Sequence, residues 1–403
     1  MNHTLITQIK EQAHIFNNNI IADRRHLHAH PELSFQEFNT SAYIQQQLKE
    51  LGIGYREIAQ TGVLAEIKGS KGNGPVIALR ADMDALPIRE ENDIDYKSVN
   101  EGVMHACGHD AHTAILLGAA RILNAIKDEF AGTVRLIFQP AEEKLPGGAQ
   151  QMIAEGALDN PQPVHVIGQH VYPHKLAGKV TIPKGLCMAS MDEITVTITG
   201  KGGHGAMPHT TIDPVQIAAQ MVVALQQLVS RMANPQMPTV LSFGRFIADG
   251  AINIIPNTVY LEGTFRTFND EWRYEAHERM KKLAVSLVEG MGATCQFDIR
   301  CGYPSVNNDE QLSDAMNAYA KEYIGEENVE HMDNLMAAED FAYYGRHKPS
   351  VFYFLGVGNE AMNITSPLHS PTFNLDETAL ETGAGFMAYF ATRILQQSSV
   401  TSA

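Results

Sequence analysis

Short apolar runs alternate with helical segments at both ends of this chain, and the alternation changes character in the middle. Residues 76–79, 134–138, 164–168 and 351–355 are almost wholly apolar. Helical periodicity fills the intervals at 114–126, 148–155, 310–324 and 380–395, and residues 5–51 add helical pattern broken near Pro31. A strand that is apolar on both faces needs cover on both faces. The pattern therefore predicts an α/β domain with a mostly parallel sheet sandwiched by helices.

The middle reads differently. Residues 194–198 alternate like a half-buried strand, 214–231 are helical, and 239–246 and 258–268 are strands. Residues 271–289 are helical and 294–301 form a last strand. The order β-α-β-β-α-β is the split ferredoxin-like unit. Such a unit needs its own core, so residues 190–305 are expected as a domain inserted between 1–189 and 306–403. The chain's 403 residues accommodate this at about 150 residues per domain.

Charge narrows the partners. Thirty basic residues face 46 acidic ones, a net charge of −16, with no basic stripe. Such a surface repels phosphate backbones, so nucleic acid is not an expected partner. Residues 1–19 lack the apolar centre of a signal peptide, and the longest apolar stretch, near 114–123, is far short of a bilayer span. No membrane partner is expected. The four cysteines, Cys107, Cys187, Cys295 and Cys301, form no Cys-x-x-Cys pair. On one strand Cys295 and Cys301 would lie about 20 Å apart, too far to bridge. A reduced, cytoplasmic chain is expected.

The chemistry-bearing residues gather just after strands, where open α/β sheets bind ligands. The clusters are Arg80-Ala-Asp82-Met-Asp84, His105-Ala-Cys107-Gly-His109-Asp110-Ala-His112, Gln139-Pro-Ala-Glu142-Glu143, Gly168-Gln-His170 and, much later, Ser366-Pro-Leu-His369. Singly each has an ordinary reading. A histidine is commonly a surface or capping residue, adjacent glutamates a solvated helix start, and a lone cysteine a small hydrophobe. Together they bring a thiolate, imidazoles and carboxylates to one crevice. That donor set suits zinc, manganese, cobalt or nickel. A helix N-terminus further favours the thiolate.

The string from Met104 to Thr113, Met-His-Ala-Cys-Gly-His-Asp-Ala-His-Thr, resembles the signature of the hippurate hydrolase, N-acyl-L-amino acid amidohydrolase and auxin-conjugate hydrolase family. That family belongs to the aminoacylase/carboxypeptidase clan of dinuclear metallopeptidases. Further matches begin at Arg25, Arg80, Phe138, Gly200, Asn253, Gly263 and Ala338. The resemblance implies a metal-binding α/β domain with a ferredoxin-like lid, and two divalent ions held by Cys107, His109, Glu143, His170 and His369. Cys107 stands where other branches place a bridging aspartate, so its thiolate is expected to bridge. Asp82 stands where they place a histidine ligand, and His109 would replace that imidazole. Asp84 would orient a ligand. His105 and His112 are alternative ligands, with helix capping and packing as their ordinary reading.

The same resemblance makes Glu142 the general base and acid. It makes His204 a lid donor to the substrate carbonyl, often from the neighbouring subunit, and Asn253 and Arg266 the grip on the substrate carboxylate. Glu339 and Asp340 fall in a further family motif with no role assigned. Lys144-Leu145-Pro146 departs from the shorter glycine-rich sequence of relatives. The expected activity is hydrolysis of N-acyl amino acids to a carboxylic acid and an amino acid, by a homodimer joined through the lid. The alternatives are a carboxypeptidase or dipeptidase of the same clan, a two-metal phosphoesterase, and a non-catalytic small-molecule binding protein. The thiolate and the Lys-poor crevice weigh against the phosphoesterase, and the intact residue set against the binding protein.

Overall fold

The computed structural model describes residues 2–400, with side chains over 4–397. The chain divides into two compact units. One runs through Gly185 and resumes over Asn307–Asp333 and from Asp340; the other comprises Leu186–Val306 and Asn334–Glu339.

The first unit is built on a seven-stranded sheet. Its spatial order is Tyr55–Ile58, Gly62–Lys68, Thr133–Gln139, Val76–Asp82, His165–Leu176, Ser350–Gly358 and Val180–Thr181. The four inner strands from Thr133–Gln139 to Ser350–Gly358 are mutually parallel, and the outer pairings are antiparallel. Every residue of Val76–Asp82 and of Ser350–Gly358 is buried. Successive strand side chains point to opposite faces, so both faces of the sheet are covered. Helices Asn2–Ala29, His109–Ala125 and Thr378–Val400 pack against one another, and the latter two against Val76–Asp82. Their shared core includes Ile9, Ile20, Leu116, Leu355 and Phe386.

The second unit is a four-stranded antiparallel sheet in the order Thr239–Ile247, Thr258–Thr267, Asp192–Thr199, Thr294–Cys301. Helices Pro214–Leu225 and Asp270–Gly290 cover it, completing a ferredoxin-like βαββαβ arrangement. Ile194, Val196 and Ile198 point into a core with Met221, Leu225, Met280 and Ala284. Asp213 caps the first helix by accepting from the backbone N–H of Val215 and Gln216, with Pro214 at the first helical position. The helix expected over 214–231 stops at Leu225, and Leu228–Met232 forms a separate π-helical turn.

The short segment Asn334–Glu339 falls within the expected last piece, 306–403, yet belongs with the second unit. Backbone pairing accounts for this: the Ala189 N–H donates to the carbonyls of Leu335 and Ala337, and Arg266 Nη1 donates to the Met336 carbonyl at 3.0 Å. Among the described residues no helix is long and apolar enough to cross a membrane.

Candidate metal centre

The centre lies wholly within the first unit, at the carboxyl ends of its parallel strands. Gly108 sets it up. It has φ +85° immediately before helix His109–Ala125, and a Cβ there would meet Val171 Cγ2 at 2.4 Å. Glycine alone tolerates both the left-handed backbone and the close approach. The turn holds Cys107 and His109 on either side of it. The helix start is anchored through Asp110, which accepts from Arg24 Nε at 2.9 Å and lies 2.8 Å from His28 Nδ1.

Asp84 organises two of the donors. Its Oδ1 lies 3.1 Å from His109 Nδ1, and its Oδ2 accepts from the Ser34 hydroxyl at 2.6 Å and the Glu143 N–H at 3.0 Å. A proton on His109 Nδ1 leaves the Nε2 lone pair facing inward. That Nε2 is buried, has no hydrogen-bond partner, and lies 3.9 Å from Glu143 Oε1, which is likewise buried without a hydrogen bond.

On the other side, Cys107 Sγ lies 3.4 Å from His170 Nε2. The His170 Nδ1–H donates to the Val171 carbonyl at 2.7 Å, which fixes the ring with Nε2 toward the thiol. His369 adopts φ +61°, and its N–H donates to the Ala106 carbonyl at 2.8 Å. Its Nε2 stands 3.3 Å from Glu143 Oε1.

These donors form overlapping groups. Cys107, His109 and His170 offer ligand atoms within 4.8 Å of one another; so do Cys107, Glu143 and His369, and so do His109, Glu142 and Glu143. Cys107 is common to the first two. Electrostatics points the same way. Burial would depress His109, but the carboxylates of Asp82, Asp84 and Glu143 outweigh it and push the ring up to about 10. Burial, with Glu143, Glu142 and Asp82 adding to it, drives the Cys107 thiol well above its ordinary value. The carboxylates that prevail over burial at His109 leave negative charge uncompensated there, while at Cys107 and His170 burial is the leading cause and holds His170 well below its ordinary value. Divalent cations supply the missing charge and deprotonate a coordinating thiol. The orphaned His109 Nε2 and Glu143 Oε1, with the mixed S, N and O donors, fit two such ions.

The alternative ligands fare differently. His112 lies with Asp82 and His109 in a further donor group, but its atoms are engaged. Its Nδ1 is 2.6 Å from Asp82 Oδ1, and its Nε2 accepts the Val171 N–H at 2.8 Å. Arg80 Nη1 donates to the other oxygen of Asp82 at 2.7 Å. His105 is buried with neither ring nitrogen bonded, and burial pulls it down to about 4. Neither histidine caps the helix, whose cap is Gly108 without a side-chain bond.

Four residues with no role assigned from the sequence support the centre: Ser34 and Glu37, and behind them Arg80 and Gln139, which stood in the polar clusters. Arg80 is fully buried and also donates to Asp340 Oδ1 at 2.8 Å and Gln139 Oε1 at 2.9 Å. Asp340 in turn accepts the Ala149 N–H at 2.9 Å. An arginine inside an otherwise apolar strand was the available signal, because a buried guanidinium must be paired. Glu37 accepts the Ala141 N–H at 2.8 Å, fixing the left-handed Ala141 (φ +54°) that turns the chain into Glu142 and Glu143.

The second unit carries the remaining candidates. His204 is exposed on a two-residue strand, Gly203–His204, paired with Ile254–Ile255. Its Nδ1 accepts the Ala206 N–H at 3.1 Å. Asn253 joins the same ribbon, its carbonyl accepting the Gly205 N–H at 2.8 Å. Arg266 is half-buried on the strand Thr258–Thr267, and among the described residues no carboxylate pairs with it.

The family model for peptidase family M20/M25/M40 matches residues 78–393. An N-acyl-L-amino acid amidohydrolase of Geobacillus stearothermophilus is 45% identical over 305 residues, 75% of this chain and 82% of the relative. An N-acetyl-L-cysteine deacetylase of Bacillus subtilis (strain 168) is 40% identical over 401 residues, 98% of this chain and 93% of the relative. The crystal structure of a Bacillus subtilis protein described as a dinuclear metal-binding peptidase of the M20 family superposes with a TM-score of 0.81 at 38% identity, covering 95% of this chain and 99% of that one. With a family match over most of its length and a full-length relative at this level of identity, the chain belongs to peptidase family M20/M25/M40.

Proposed function

We propose that this M20 hydrolase is a dinuclear metal-dependent amidohydrolase that cleaves N-acyl amino acids to a carboxylic acid and a free amino acid. The observation that carries the reading is the pair of donor groups sharing Cys107, with Glu142 grouped beside His109 and Glu143. Cys107, His109, Glu143, His170 and His369 would hold two divalent ions, with zinc, manganese, cobalt or nickel suiting the donors. When bound, such ions acidify water and polarise a carbonyl oxygen.

Glu142 accepts a proton from the attacking water as its oxygen bonds to the acyl carbon. It then delivers that proton to the amide nitrogen as the C–N bond breaks. His204 supplies a donor for the oxyanion: its Nδ1 accepts a backbone N–H, so in the neutral ring the proton sits on Nε2. Arg266 and Asn253 grip the free carboxylate of the substrate. An arginine fork without a protein carboxylate suits that task.

The enzyme works as a homodimer through the second unit, whose outer strands Thr239–Ile247 and Thr294–Cys301 leave sheet edges open, with Phe246, Ile252 and Ile254 exposed. We place it in the cytoplasm, in keeping with four free cysteines.

Assay of metal-reconstituted enzyme against hippurate, other N-acyl amino acids and unblocked dipeptides tests the substrate class. Release of benzoate from hippurate, with dipeptides turned over poorly, is the expected result. Cleavage of dipeptides alone would make the enzyme a dipeptidase instead.

A further inference from the structure

Strand His165–Leu176 outruns its neighbour. Its pairing with Val76–Asp82 ends at Arg80 opposite Gly168, whereas its pairing with Ser350–Gly358 continues past His170 and Val171. Beyond Gly168 the strand therefore lacks a strand partner on one side. A buried backbone N–H left there would lose a hydrogen bond. His112 fills the gap. Its Nε2 accepts the Val171 N–H at 2.8 Å, and its Nδ1 lies 2.6 Å from Asp82 Oδ1. The other end of the same residue, the Val171 carbonyl, takes the His170 Nδ1–H at 2.7 Å. Arg80 holds Asp82 from behind at 2.7 Å and is itself tied to Asp340. His112, Asp82, Arg80 and Asp340 are all buried.

We infer that His112 is a positioning residue for the metal donor His170, acting through the backbone of Val171 rather than as a ligand. The line runs from Asp340 through Arg80, Asp82 and His112 to the Val171 N–H, and from the Val171 carbonyl to the His170 ring. It also gives a place to Asp340 of the Glu339-Asp340 motif. His112 pins Val171 at its N–H, and the carbonyl of the same residue, one peptide unit on, takes the His170 Nδ1–H, so that the imidazole presents Nε2 to Cys107. Without His112 the backbone at Val171 loses its tie on the side that lacks a strand, and the carbonyl that sets the ring's direction is held only through the pairing with Ser350–Gly358. Partners one step behind a metal ligand typically contribute about 10–100-fold in metal affinity, and His112, one step further back, is expected at the lower end.

The inference rests on the dinuclear reading above, and the test separates the two. Apo protein is titrated with Zn²⁺ against a chromophoric chelator, giving two dissociation constants for the wild type. In His112→Ala, one constant should rise by about tenfold while the other stays within about threefold. Two conservative variants separate positioning from packing. His112→Gln places its amide oxygen near the position of Nε2 and should restore the weakened constant toward wild type. His112→Asn mimics only the Asp82-facing side and should behave like alanine. Wild-type constants in His112→Ala, or glutamine no better than asparagine, would overturn the inference. A wild type that binds fewer than two ions would overturn the dinuclear reading and this inference with it.

Discussion

Oδ1 of Asp84 sits 3.1 Å from Nδ1 of His109, while Nε2 of the same ring is buried without a hydrogen bond. The carboxylate thereby fixes the tautomer and leaves one nitrogen for a cation. Because Asp84 also accepts from Ser34 and the Glu143 N–H, it governs two donors at once. Asp84→Ala should weaken metal binding by at least about 10–100-fold, and Asp84→Asn by less, because the amide oxygen still accepts. Metal content after dialysis against a weak chelator measures the difference.

Chelation should abolish hydrolysis and leave the fold. The first unit's core is a continuous apolar cluster that runs from Ile9 and Ile20 through Leu116 to Phe386, and it does not depend on the donors. Far-ultraviolet circular dichroism should be preserved after chelator treatment, with activity returning on addition of a divalent ion. Unfolding on chelation would show that the ions also hold the fold.

The ferredoxin-like unit contains its own ionic anchor. Asp192 accepts from Arg273 Nε at 2.9 Å and lies 2.7 Å from His277 Nε2. Burial alone would raise its carboxyl, but the bonds from Arg273 and His277 prevail and hold it below its ordinary value. Asp192→Asn takes the close carboxylate from the buried Arg273, leaving it Asp270 Oδ1 at 3.8 Å, and should cost up to about 3–5 kcal/mol. A depressed folded-state pKa gives stability that is present above the unfolded value, near 3.8, and is lost as pH falls through the folded one. The gap in urea midpoint between wild type and Asp192→Asn should therefore be full near about pH 6 and shrink below about pH 3.8.

Much of the architecture was readable because apolar runs and helical periods alternate in order. Val76–Asp82 and Ser350–Gly358 are buried throughout and look it. The polar clusters stood out by place, Cys107 and His109 at a helix start and Glu142 and Glu143 just past the strand Thr133–Gln139, while the choice of ligands among them came from the family resemblance; His170, expected after a strand, lies within His165–Leu176. What escaped depends on distance along the chain. Arg80 meets Asp340 across 260 residues and Ser34 meets Asp84 across 50, and no local pattern encodes such pairs. The segment Asn334–Glu339 escaped too, since its allegiance rests on backbone carbonyls, which every residue has. The edge strand Tyr55–Ile58 is short and exposes Tyr55, Arg56 and Glu57, so its apolar signal is weak.

His204→Ala should keep both ions and lose about 10²–10³-fold in turnover, the usual effect of removing one oxyanion donor. Mixing inactive His204→Ala with inactive Glu142→Gln, with subunit exchange verified, tests whether the histidine serves its partner. Partial return of activity is expected from the one restored site in each mixed dimer. Exchange without recovery would place the action of His204 within its own chain.

The division of labour between the adjacent glutamates is the most direct test of the account. Metal content and hippurate turnover are measured together for Glu142→Gln and Glu143→Gln. Glu142→Gln should bind both ions as the wild type does and lose about 10²–10⁴-fold in turnover, as expected for a lost proton shuttle. Glu143→Gln should lose metal. Loss of metal from Glu142→Gln with retention in Glu143→Gln would reverse the assignment, and wild-type turnover in Glu142→Gln would contradict it outright.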